Sequence, residues 1–427
     1  MNISNLRHIT FLLSLFVFLG LFISCDTTEP PPSNRKIILT AEDASCTEAW
    51  LNLKLDNISL PTEISISQSD STIITTNINS NDTTLFIENL LPNQYFTFKV
   101  TNIKYQLSSN EVQVTTMDTT SHNFTWETFT FGGGSSSYFN DVAIINENNI
   151  WAVGEIHTED TDKFDSNGVW VQPYNAVHWE GNKWELKRVM EKGSPLYTIF
   201  AFNENDIWFN GVVKWDGIDY TLHFDNFPLE PNGDGWLVNA MWGTSSKDFY
   251  VIGNNGNIAH YENGKWTKIE SGTELNINDI YGSEEDNIKY CVSIGRDYGA
   301  ESFILKIDGF NKVTKEYLST DRHFAGIWTK SGFPIYLSGD GTYTNKNGLW
   351  KNDLSSNIYF TSDIHGNDLN DIVTCGAYGF LAHYNGASWQ TYPVMIANSY
   401  SGVKIKENVI AAVGFSNNKA AIVIGSR

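Results

Sequence analysis

The sequence predicts an all-β protein in which a small β-sandwich precedes a closed ring of repeated four-stranded units. Three observations support this prediction. Between residues 36 and 118, apolar and polar residues alternate in short runs separated by Asn, Ser and Pro, which is typical of short strands. From residue 140 onward, a pair of apolar strands that ends near a glycine recurs seven times. Several repeats continue into an Asn-Gly or Gly-Asn turn and a strand that opens on tryptophan, which predicts a hairpin.

The N-terminus has the organisation of an export signal. Arg7 precedes an apolar run from Ile9 to Ile23, which is too short for a comfortable transmembrane helix. The run ends in "LFISC", which resembles the lipobox of bacterial lipoproteins and implies a lipid on Cys25. An ordinary secreted protein with an incidental cysteine is the alternative. We therefore expect an exported bacterial lipoprotein, membrane anchored through Cys25 in the cell envelope, at the outer membrane or cell surface.

The rest of the chain divides by composition into a tether and two domains. "DTTEPPPSNR" is rich in proline and favours an extended, stiff linker. The predicted organisation is therefore a signal peptide at 1–24, a tether at 25–35, a sandwich at 36–118 and the repeats at 119–427.

Charge and cysteine content exclude several classes of function. The chain has 28 Lys and Arg against 49 Asp and Glu, a net charge of -21, which disfavours nucleic acid as a partner. Besides Cys25 there are three cysteines without paired metal-ligand spacing, Cys46, Cys291 and Cys375. We expect these three to be buried small apolar residues that form no disulfide.

The first domain resembles the fibronectin type III family. "NLLPNQYFTFKV" followed by "SSNEVQVTTMD" is similar to the last two strands of that family, with Leu90 and Pro92 ahead of an aromatic corner. The resemblance implies that Tyr95 or Phe96 occupies this corner, and it covers the sandwich region alone. A spacer between the anchor and the repeats is the role that we expect for this domain.

Seven segments share the repeated strand pair, at intervals of about 37 to 57 residues, and four-stranded propeller blades need about 40 to 50. The seventh unit contains three strands, "GVKIK", "VIAAVGF" and "KAAIVIGSR", and the chain then stops at Arg427. The isolated segment "TWETFTF" at 125–131 has the missing fourth-strand pattern. We predict that this N-terminal strand, from Trp126 to Phe131, completes the last of seven blades, because ring closure removes an exposed sheet edge.

The arrangement resembles exported bacterial seven-bladed β-propellers preceded by a fibronectin type III module. Members of that group are often labelled glycosyl or glucosyl hydrolase-like on the basis of fold, which does not fix function. The resemblance places the first strand of each unit along a central channel, and it puts the ligand on the face formed by the turns before the first strand and between strands two and three.

Two sets of residues follow from that placement. Asp141, Asp279 and Asp363 open first strands, where they would either ring the channel mouth around a cation or hydrogen-bond nearby backbone amides. An aromatic-rich set would line the channel for stacking on a sugar or peptide, with packing between blades as the alternative. The members at the third place of the first strand are Ala143, Phe200, Trp242, Tyr281, Trp328, His365 and Lys404, of which Trp242, Tyr281, Trp328 and His365 are the candidate ligand contacts.

An insertion from Ile156 to Asn175 breaks the first repeat and should lie on the ligand face, near the channel mouth. Its carboxylates suggest a loose calcium site, with a solvated acidic loop as the alternative. A second extension, at 218–236, follows the third strand of its unit and is expected on the opposite face. The candidate calcium ligands are Asp160, Asp162 and Asp165, and the candidate contacts to a carbohydrate or protein ligand are His157, Trp170 and Tyr174.

Catalytic motifs are sparse in the sequence. It lacks the arginines and Asp-boxes of sialidases, and it has no His-Glu-x-x-His, Gly-x-Ser-x-Gly or phosphate-binding glycine loop. We therefore expect a surface-anchored, non-catalytic binding or scaffolding propeller, a monomer that needs no cofactor other than the calcium considered above. The alternative is a glycoside hydrolase that uses two carboxylates on the propeller face.

Overall fold

The computed structural model describes residues 34–133, 136–190, 195–230, 235–283, 287–294, 301–319, 322–331, 334–346, 349–354 and 358–427. The predicted signal peptide, Cys25 and most of the tether lie outside these residues. Within the described ranges, no helix has both the length and the apolar character needed to cross a membrane. The described chain divides into two compact units, the first made of 34–43, 50–87 and 95–114 and the second of 44–49, 88–94 and 115–427.

The first unit contains two sheets with alternating burial. One sheet has the strand order β1-β2-β5, and the other has the order β4-β3-β6-β7 with β8 also paired to β6. Leu51 and Leu53 of the first sheet and Phe98 of the second are fully buried, as the period-two pattern predicts. The strands are β1 Lys36–Ala44, β2 Ala49–Asp56, β3 Thr62–Gln68, β4 Ser71–Ile78, β5 Asp82–Ile87, β6 Tyr95–Asn102, β7 Leu107–Ser108 and β8 Val112–Thr115.

The aromatic corner implied for Tyr95 is wrong. Tyr95 opens β6 and is 58% exposed. Side chains alternate along a strand, so Phe96, Phe98 and Val100 share the inner side of β6 while Tyr95 points outward. Phe96 stacks on Phe98 with ring centres 6.2 Å apart, but it carries no hydroxyl with which to form the corner hydrogen bond.

The described residues of the second unit form seven four-stranded sheets, here called sheets 1 to 7, and one inserted two-stranded hairpin. First strands of consecutive sheets contact one another in chain order, and the first strand of sheet 7 contacts that of sheet 1. The isolated strand is β9 Thr125–Phe131. The remaining strands are, in sheet 1, β10 Tyr138–Asn146, β11 Asn149–Ile156, β14 Tyr174–Trp179 and β15 Trp184–Lys187, with the hairpin β12 Lys163–Phe164 and β13 Trp170–Val171 inserted; in sheet 2, β16 Ile199–Asn203, β17 Asp206–Phe209, β18 Val213–Trp215 and β19 Tyr220–Leu222; in sheet 3, β20 Val238–Ser245, β21 Asp248–Gly253, β22 Asn257–Glu262 and β23 Lys265–Glu270; in sheet 4, β24 Asn276–Gly282, β25 Lys289–Ile294, β26 Ser302–Ile307 and β27 Val313–Ser319; in sheet 5, β28 Phe324–Thr329, β29 Ile335–Gly339, β30 Tyr343–Lys346 and β31 Leu349–Asn352; in sheet 6, β32 Thr361–Asp368, β33 Asp371–Gly376, β34 Leu381–Tyr384 and β35 Trp389–Thr391; and in sheet 7, β36 Ser399–Lys406, β37 Val409–Ser416 and β38 Lys419–Ser426.

Strand β9 is the fourth strand of sheet 7, as the sequence predicted. It pairs antiparallel with β38 over its whole length, from Phe131 opposite Ala420 to Thr125 opposite Ser426. The Trp126 ring lies against Gly425, where an added Cβ would approach the ring to 2.5 Å. The N-terminal strand therefore closes the edge that the C-terminal strand would otherwise leave open.

The glycine that ends the second strand of most repeats has a steric cause. The first strand carries a bulge, between Phe139 and Asp141 in sheet 1, which brings a backbone carbonyl close to the second strand. A Cβ at Gly154 would lie 2.1 Å from the carbonyl oxygen of Tyr138. The same close approach to a first-strand or preceding carbonyl occurs at Gly253, Gly339, Gly376 and Gly414.

The expected location of the second extension is wrong. Strand β19 is already the fourth strand of sheet 2, and it pairs with β18 across a turn at 216–219. The described residues between Leu222 and sheet 3, at 223–230 and 235–237, therefore follow the fourth strand and lie on the same face as the insertion in sheet 1. Sequence inspection missed β19 because it has only three residues and lacks the opening tryptophan.

The three cysteines of the two domains are free and fully buried, as their lack of metal-ligand spacing suggested. Cys46, Cys291 and Cys375 each have 0% exposure. Burial raises the pKa of the Cys46 thiol to about 11, so that this group stays protonated at neutral pH.

Candidate functional site

The first strands of the sheets surround a central cavity of about 140 Å³. Its lining includes Asp141, Asp279, Asp363 and Lys404, together with the rings of Tyr281 and His365. None of the described lining residues belongs to the insertion at 156–175. The predicted central position of the aspartates is therefore confirmed, whereas the insertion does not contribute to this cavity.

Asp141 joins sheet 1 to sheet 2. Its Oδ1 accepts the amide of Val142 at 2.8 Å, and its Oδ2 accepts the amide of Ile199 at 3.0 Å. The Thr198 hydroxyl donates to the same Oδ2 at 3.1 Å. Both carboxylate oxygens are thus occupied by donors of the protein itself.

Asp279 and Asp363 repeat this arrangement between other sheets. Asp279 accepts the amide of Ile280 at 2.8 Å and that of Ile327, in sheet 5, at 2.9 Å. Asp363 accepts the amide of Ile364 at 2.8 Å and that of Val403, in sheet 7, at 2.9 Å. These aspartates therefore accept hydrogen bonds from backbone amides, which was the alternative to a cation site. Each of them accepts one amide from its own sheet and one from a following sheet.

Lys404 is the cation of this cluster. Its Nζ lies 3.1 Å from Asp363 and 4.0 Å from Asp141, and its side chain is 28% exposed. Burial alone would lower the pKa of the Lys404 ammonium, but the carboxylates of Asp363, Asp141 and Asp279 outweigh it and raise the pKa. The ammonium therefore stays charged and neutralises part of the carboxylate charge.

Burial raises the pKa of the Asp141 carboxyl and shifts two further titrating groups of the cavity. It raises the pKa of the Asp279 carboxyl to about 8, with a further contribution from the Asp363 carboxylate. It also lowers the pKa of the His365 imidazole well below the usual range, and Lys404 acts in the same direction. His365 is therefore neutral near pH 7, and its Nδ1 accepts the amide of Ile405 at 3.3 Å.

The predicted stacking residues of the channel are packed between sheets. Trp242 is 7% exposed and covers Gly282 of the next sheet, where a Cβ would approach the ring to 2.7 Å. Trp328 is 1% exposed and covers Gly366 in the same way. Tyr281 lies between these rings, 6.3 Å from Trp242 and 6.2 Å from Trp328. These tryptophans hold neighbouring sheets together and present little surface to a ligand.

The calcium prediction for Asp160, Asp162 and Asp165 has no support from the geometry. The Asp162 carboxylate pairs with His157 Nδ1 at 2.7 Å, and Asp165 Oδ1 accepts the amides of Asn167 and Val169, each at 2.8 Å. Within the described ranges, no three His, Cys, Asp or Glu side chains are arranged to hold a metal. The carboxylates bond to separate donors of their own loop and do not converge on one point.

The insertion is an ordered hairpin with one exposed aromatic pair. Strands β12 and β13 pair Phe164 with Trp170, whose ring centres are 5.2 Å apart at an angle of 72°. Phe164 is 67% exposed and Trp170 is 41% exposed. Phe164 was not among the predicted contacts, although its place before the turn residues Asp165 to Gly168 would have indicated a strand end.

Tyr174 and Arg188 fix the base of this hairpin. The Tyr174 hydroxyl donates to Asp160 Oδ2 at 2.9 Å, and the Arg188 guanidinium lies 3.8 Å from the centre of the Tyr174 ring. Arg188 Nε also donates to the carbonyl of Gln172 at 3.1 Å. Tyr174 therefore supports the insertion rather than offering a free stacking face.

Comparison with known proteins identifies the fold and leaves the activity open. No protein-family model and no curated protein matches the chain. A solved structure described as YCF48 bound to D1 peptide aligns with a TM-score of 0.51 at 14% identity, covering 70% of this chain and 94% of that one. YCF48 from Cyanidioschyzon merolae aligns at 0.49 and 15% identity, covering 70% and 98%, and a putative gluconolactonase aligns at 0.41 and 8%, covering 72% and 94%. With its repeated four-stranded sheets, the chain has a β-propeller fold.

Proposed function

We propose that this protein is a non-catalytic binding or scaffolding propeller, in which the seven four-stranded sheets are the blades of one closed ring. The observation that carries the proposal is the bonding of Asp141, Asp279 and Asp363. Each central carboxylate accepts one amide from its own sheet and one from the next, so these groups serve the architecture.

A glycoside hydrolase is the second candidate, because the raised pKa of the Asp279 carboxyl is what a general acid beside a second carboxyl group would have. Hydrogen bonding disfavours it. Both oxygens of Asp279 accept amides, of Ile280 and of Ile327, and the second of these bonds joins two sheets, so the carboxyl is held in a structural role rather than directed at a substrate. Release of reducing sugar from a panel of polysaccharides would favour the hydrolase.

The ligand surface that we propose is the exposed hairpin of the insertion. Phe164 and Trp170 present an apolar pair on a hairpin whose base is held by Tyr174, Arg188 and Asp160. A rigid aromatic pair loses little conformational entropy on binding. A propeller of the same fold is described with a bound peptide, which favours a protein ligand over a glycan for this chain.

Shortening the insertion tests this proposal. When 157–174 is replaced by an Asn-Gly turn, we expect the fold to persist, because the hairpin lies between two strands of sheet 1, while binding to a peptide array is lost. The double change Phe164→Ala and Trp170→Ala should weaken the same binding. Phe310→Ala is the matched control, since Phe310 is 94% exposed on a turn of sheet 4. Unchanged array binding by the shortened, folded protein would place the ligand site elsewhere, and binding to a glycan array alone would replace the protein ligand.

We also propose that a lipid on Cys25 anchors the protein in the cell envelope and that the first unit, as a fibronectin type III-like spacer, separates the propeller from the membrane. Cys25→Ala should move the protein from the membrane fraction to the soluble fraction. Cys46→Ala is the control, because this thiol is fully buried. An unchanged membrane fraction for Cys25→Ala would contradict the anchor.

A further inference from the structure

A cleft of about 400 Å³ lies between sheet 7 and sheet 1, away from the insertion. Its aromatic walls are Phe129 of β9 and the pair Trp179 and Trp184 of sheet 1. The Phe129 ring lies 6.0 Å from that of Trp179 and 5.7 Å from that of Trp184. The cleft also includes Gly181, in the turn between the third and fourth strands of sheet 1, so it opens on the face opposite to the insertion.

The equivalent space between sheets 2 and 3 is filled by a tryptophan. Trp208, on the second strand of sheet 2, is 1% exposed and lies 4.6 Å from Phe249 and 5.4 Å from Tyr261. Strand register makes Phe249 and Tyr261 of sheet 3 equivalent to Ile150 and Trp179 of sheet 1, and both of the latter line the cleft.

Sheet 7 has a methyl group where sheet 2 has this indole. Trp208 pairs with Phe200 and Ala411 pairs with Lys404, and Phe200 and Lys404 hold the same place on their first strands. Ala411 is fully buried and faces sheet 1. Ala411 does not itself line the cleft, but it pairs with the lining residue Ile424, so sheet 7 has a small side chain next to the cleft at the position where sheet 2 has a tryptophan.

A chain segment completes the site between sheets 2 and 3. The Trp266 indole donates to the backbone carbonyl of His223 at 2.9 Å, and the Phe227 ring lies 5.0 Å from that of Trp266. Register makes Trp184 the equivalent of Trp266, since Trp184 pairs with Trp179 and Trp266 pairs with Tyr261, the residue equivalent to Trp179. The Trp184 indole N–H is buried, and no described residue accepts its hydrogen bond. A buried donor without an acceptor is destabilising, so a ligand that supplies an acceptor would be favoured here.

The charges at the cleft limit what it can accept. Glu127 and Glu147 stand in the lining and are exposed, and no lysine or arginine is among the described lining residues. An acidic ligand would therefore be repelled. A bare ammonium group cannot accept a hydrogen bond from an indole N–H, so the Trp184 donor calls for a carbonyl or hydroxyl acceptor.

We propose that this cleft binds a non-acidic peptide segment of a partner protein, which places a large apolar or aromatic side chain against Phe129, Trp179 and Trp184 and a backbone carbonyl on the Trp184 indole. The segment at 223–227 shows the same chemistry within this chain, at Trp266. The site is independent of the ligand surface proposed on the insertion hairpin.

The indole N–H resonance of Trp184, identified by its loss in Trp184→Phe, tests the proposal on the full mature chain. Titration with N-acetyl-phenylalaninamide should shift this resonance in the millimolar range and leave that of Trp266 unchanged. N-acetyl-lysyl-phenylalaninamide should bind more tightly than N-acetyl-glutamyl-phenylalaninamide because of the two glutamates. Ala411→Trp, which copies Trp208, should abolish the response.

A second variant keeps the test decisive if Ala411→Trp fails to fold. Glu127→Lys with Glu147→Lys changes only exposed side chains and should reverse the preference, so that the glutamyl peptide binds more tightly than the lysyl peptide. The proposal is overturned if no peptide probe shifts Trp184 or if the preference is not reversed. It is also overturned if cellotriose shifts the resonance and the peptides do not, which would indicate a sugar site, or if light scattering shows that a second copy of the chain occupies the cleft.

Discussion

A chain that begins at Gly132, and so lacks β9, is expected to melt roughly 10 °C or more below a chain that begins at Thr119. Loss of a large aromatic from a core costs about 3–5 kcal/mol, and about 1 kcal/mol moves the Tm of a domain of ~300 residues by about 1.5 °C. Strand β9 supplies two such residues, since Trp126 packs beside the buried core that contains Tyr400 and Phe131 packs beside the core that contains Phe139. Its loss also leaves the backbone of β38 unpaired.

The measurement is thermal unfolding followed by circular dichroism. Both chains lack the whole first unit together with 44–49, 88–94 and 115–118 of the second, so any difference between them reports on 119–131. A synthetic peptide of residues 119–131 should restore part of the lost Tm in the shorter chain, because it can pair with β38 in trans. Equal melting temperatures of the two chains would contradict the closure by β9.

Asp371→Ala is expected to destabilise the protein by about 3–5 kcal/mol, because it removes one partner from a buried charge network. The Asp371 carboxylate, 5% exposed, lies 2.7 Å from His383 Nε2 and 2.7 Å from Arg427 Nη2. His383 is fully buried. Arg427 also donates to the carbonyl of Ser121 at 3.0 Å, so the network ties the residues before β9 to sheet 6.

The pH dependence of this contribution has a defined sign. Burial alone would raise the pKa of the Asp371 carboxyl, but hydrogen bonds from His383, Arg427 and Asn367 outweigh it and hold the pKa below the usual range. The stabilisation is therefore present above pH ~4, near the unfolded pKa of aspartate, and is lost as the pH falls through the lower folded value. The difference between wild type and Asp371→Ala should shrink in the same direction.

The chain offers a matched control in sheet 3. Asp248 lies 2.7 Å from His260 Nε2, the same contact at the equivalent strand positions, but the Asp248 side chain is 50% exposed. Asp248→Ala should therefore cost about 1 kcal/mol or less. Urea unfolding of both variants measures the difference. If Asp371→Ala costs no more than Asp248→Ala, the network adds nothing beyond a single Asp–His contact.

Local pattern was sufficient for the repeats and for ring closure. The alternation of Trp126, Thr128 and Thr130 with Glu127 and Phe129 predicted a strand, and the missing fourth strand of the last unit identified its partner. The glycines that end second strands were visible as a regularity. Their cause, a carbonyl brought within 2.1 Å of the Cβ position at Gly154, needed the bulge in the neighbouring strand.

The candidate sites at the central cavity and on the insertion depend on contacts between residues that are far apart in the sequence. The sequence could suggest that backbone amides donate to Asp141 and Asp363. It could not show that two of these donors, the amides of Ile199 and Val403, belong to the next sheet, about 40 to 60 residues away in the chain. The sequence predicts that Trp242 and Trp328 stack on a ligand. In the structure their rings instead cover Gly282 and Gly366 of the following sheets. The calcium hypothesis for the insertion overlooked the separate donors that satisfy Asp162 and Asp165.

The sequence by itself therefore determined the all-β class, the repeated strands and the role of β9, because hydrophobic period, turn residues and strand count act over a few neighbouring positions. Only the tertiary structure decided which polar side chains already have hydrogen-bond partners within the protein and where a cleft is left between the sheets. Ala411 and Trp208 occupy equivalent positions in the repeat, yet the residues that surround each of them belong to the facing sheet and differ between the two positions. The cleft beside Trp184 could not be read from the sequence, since packing volume and hydrogen-bond satisfaction are set by residues that meet only when the chain has folded.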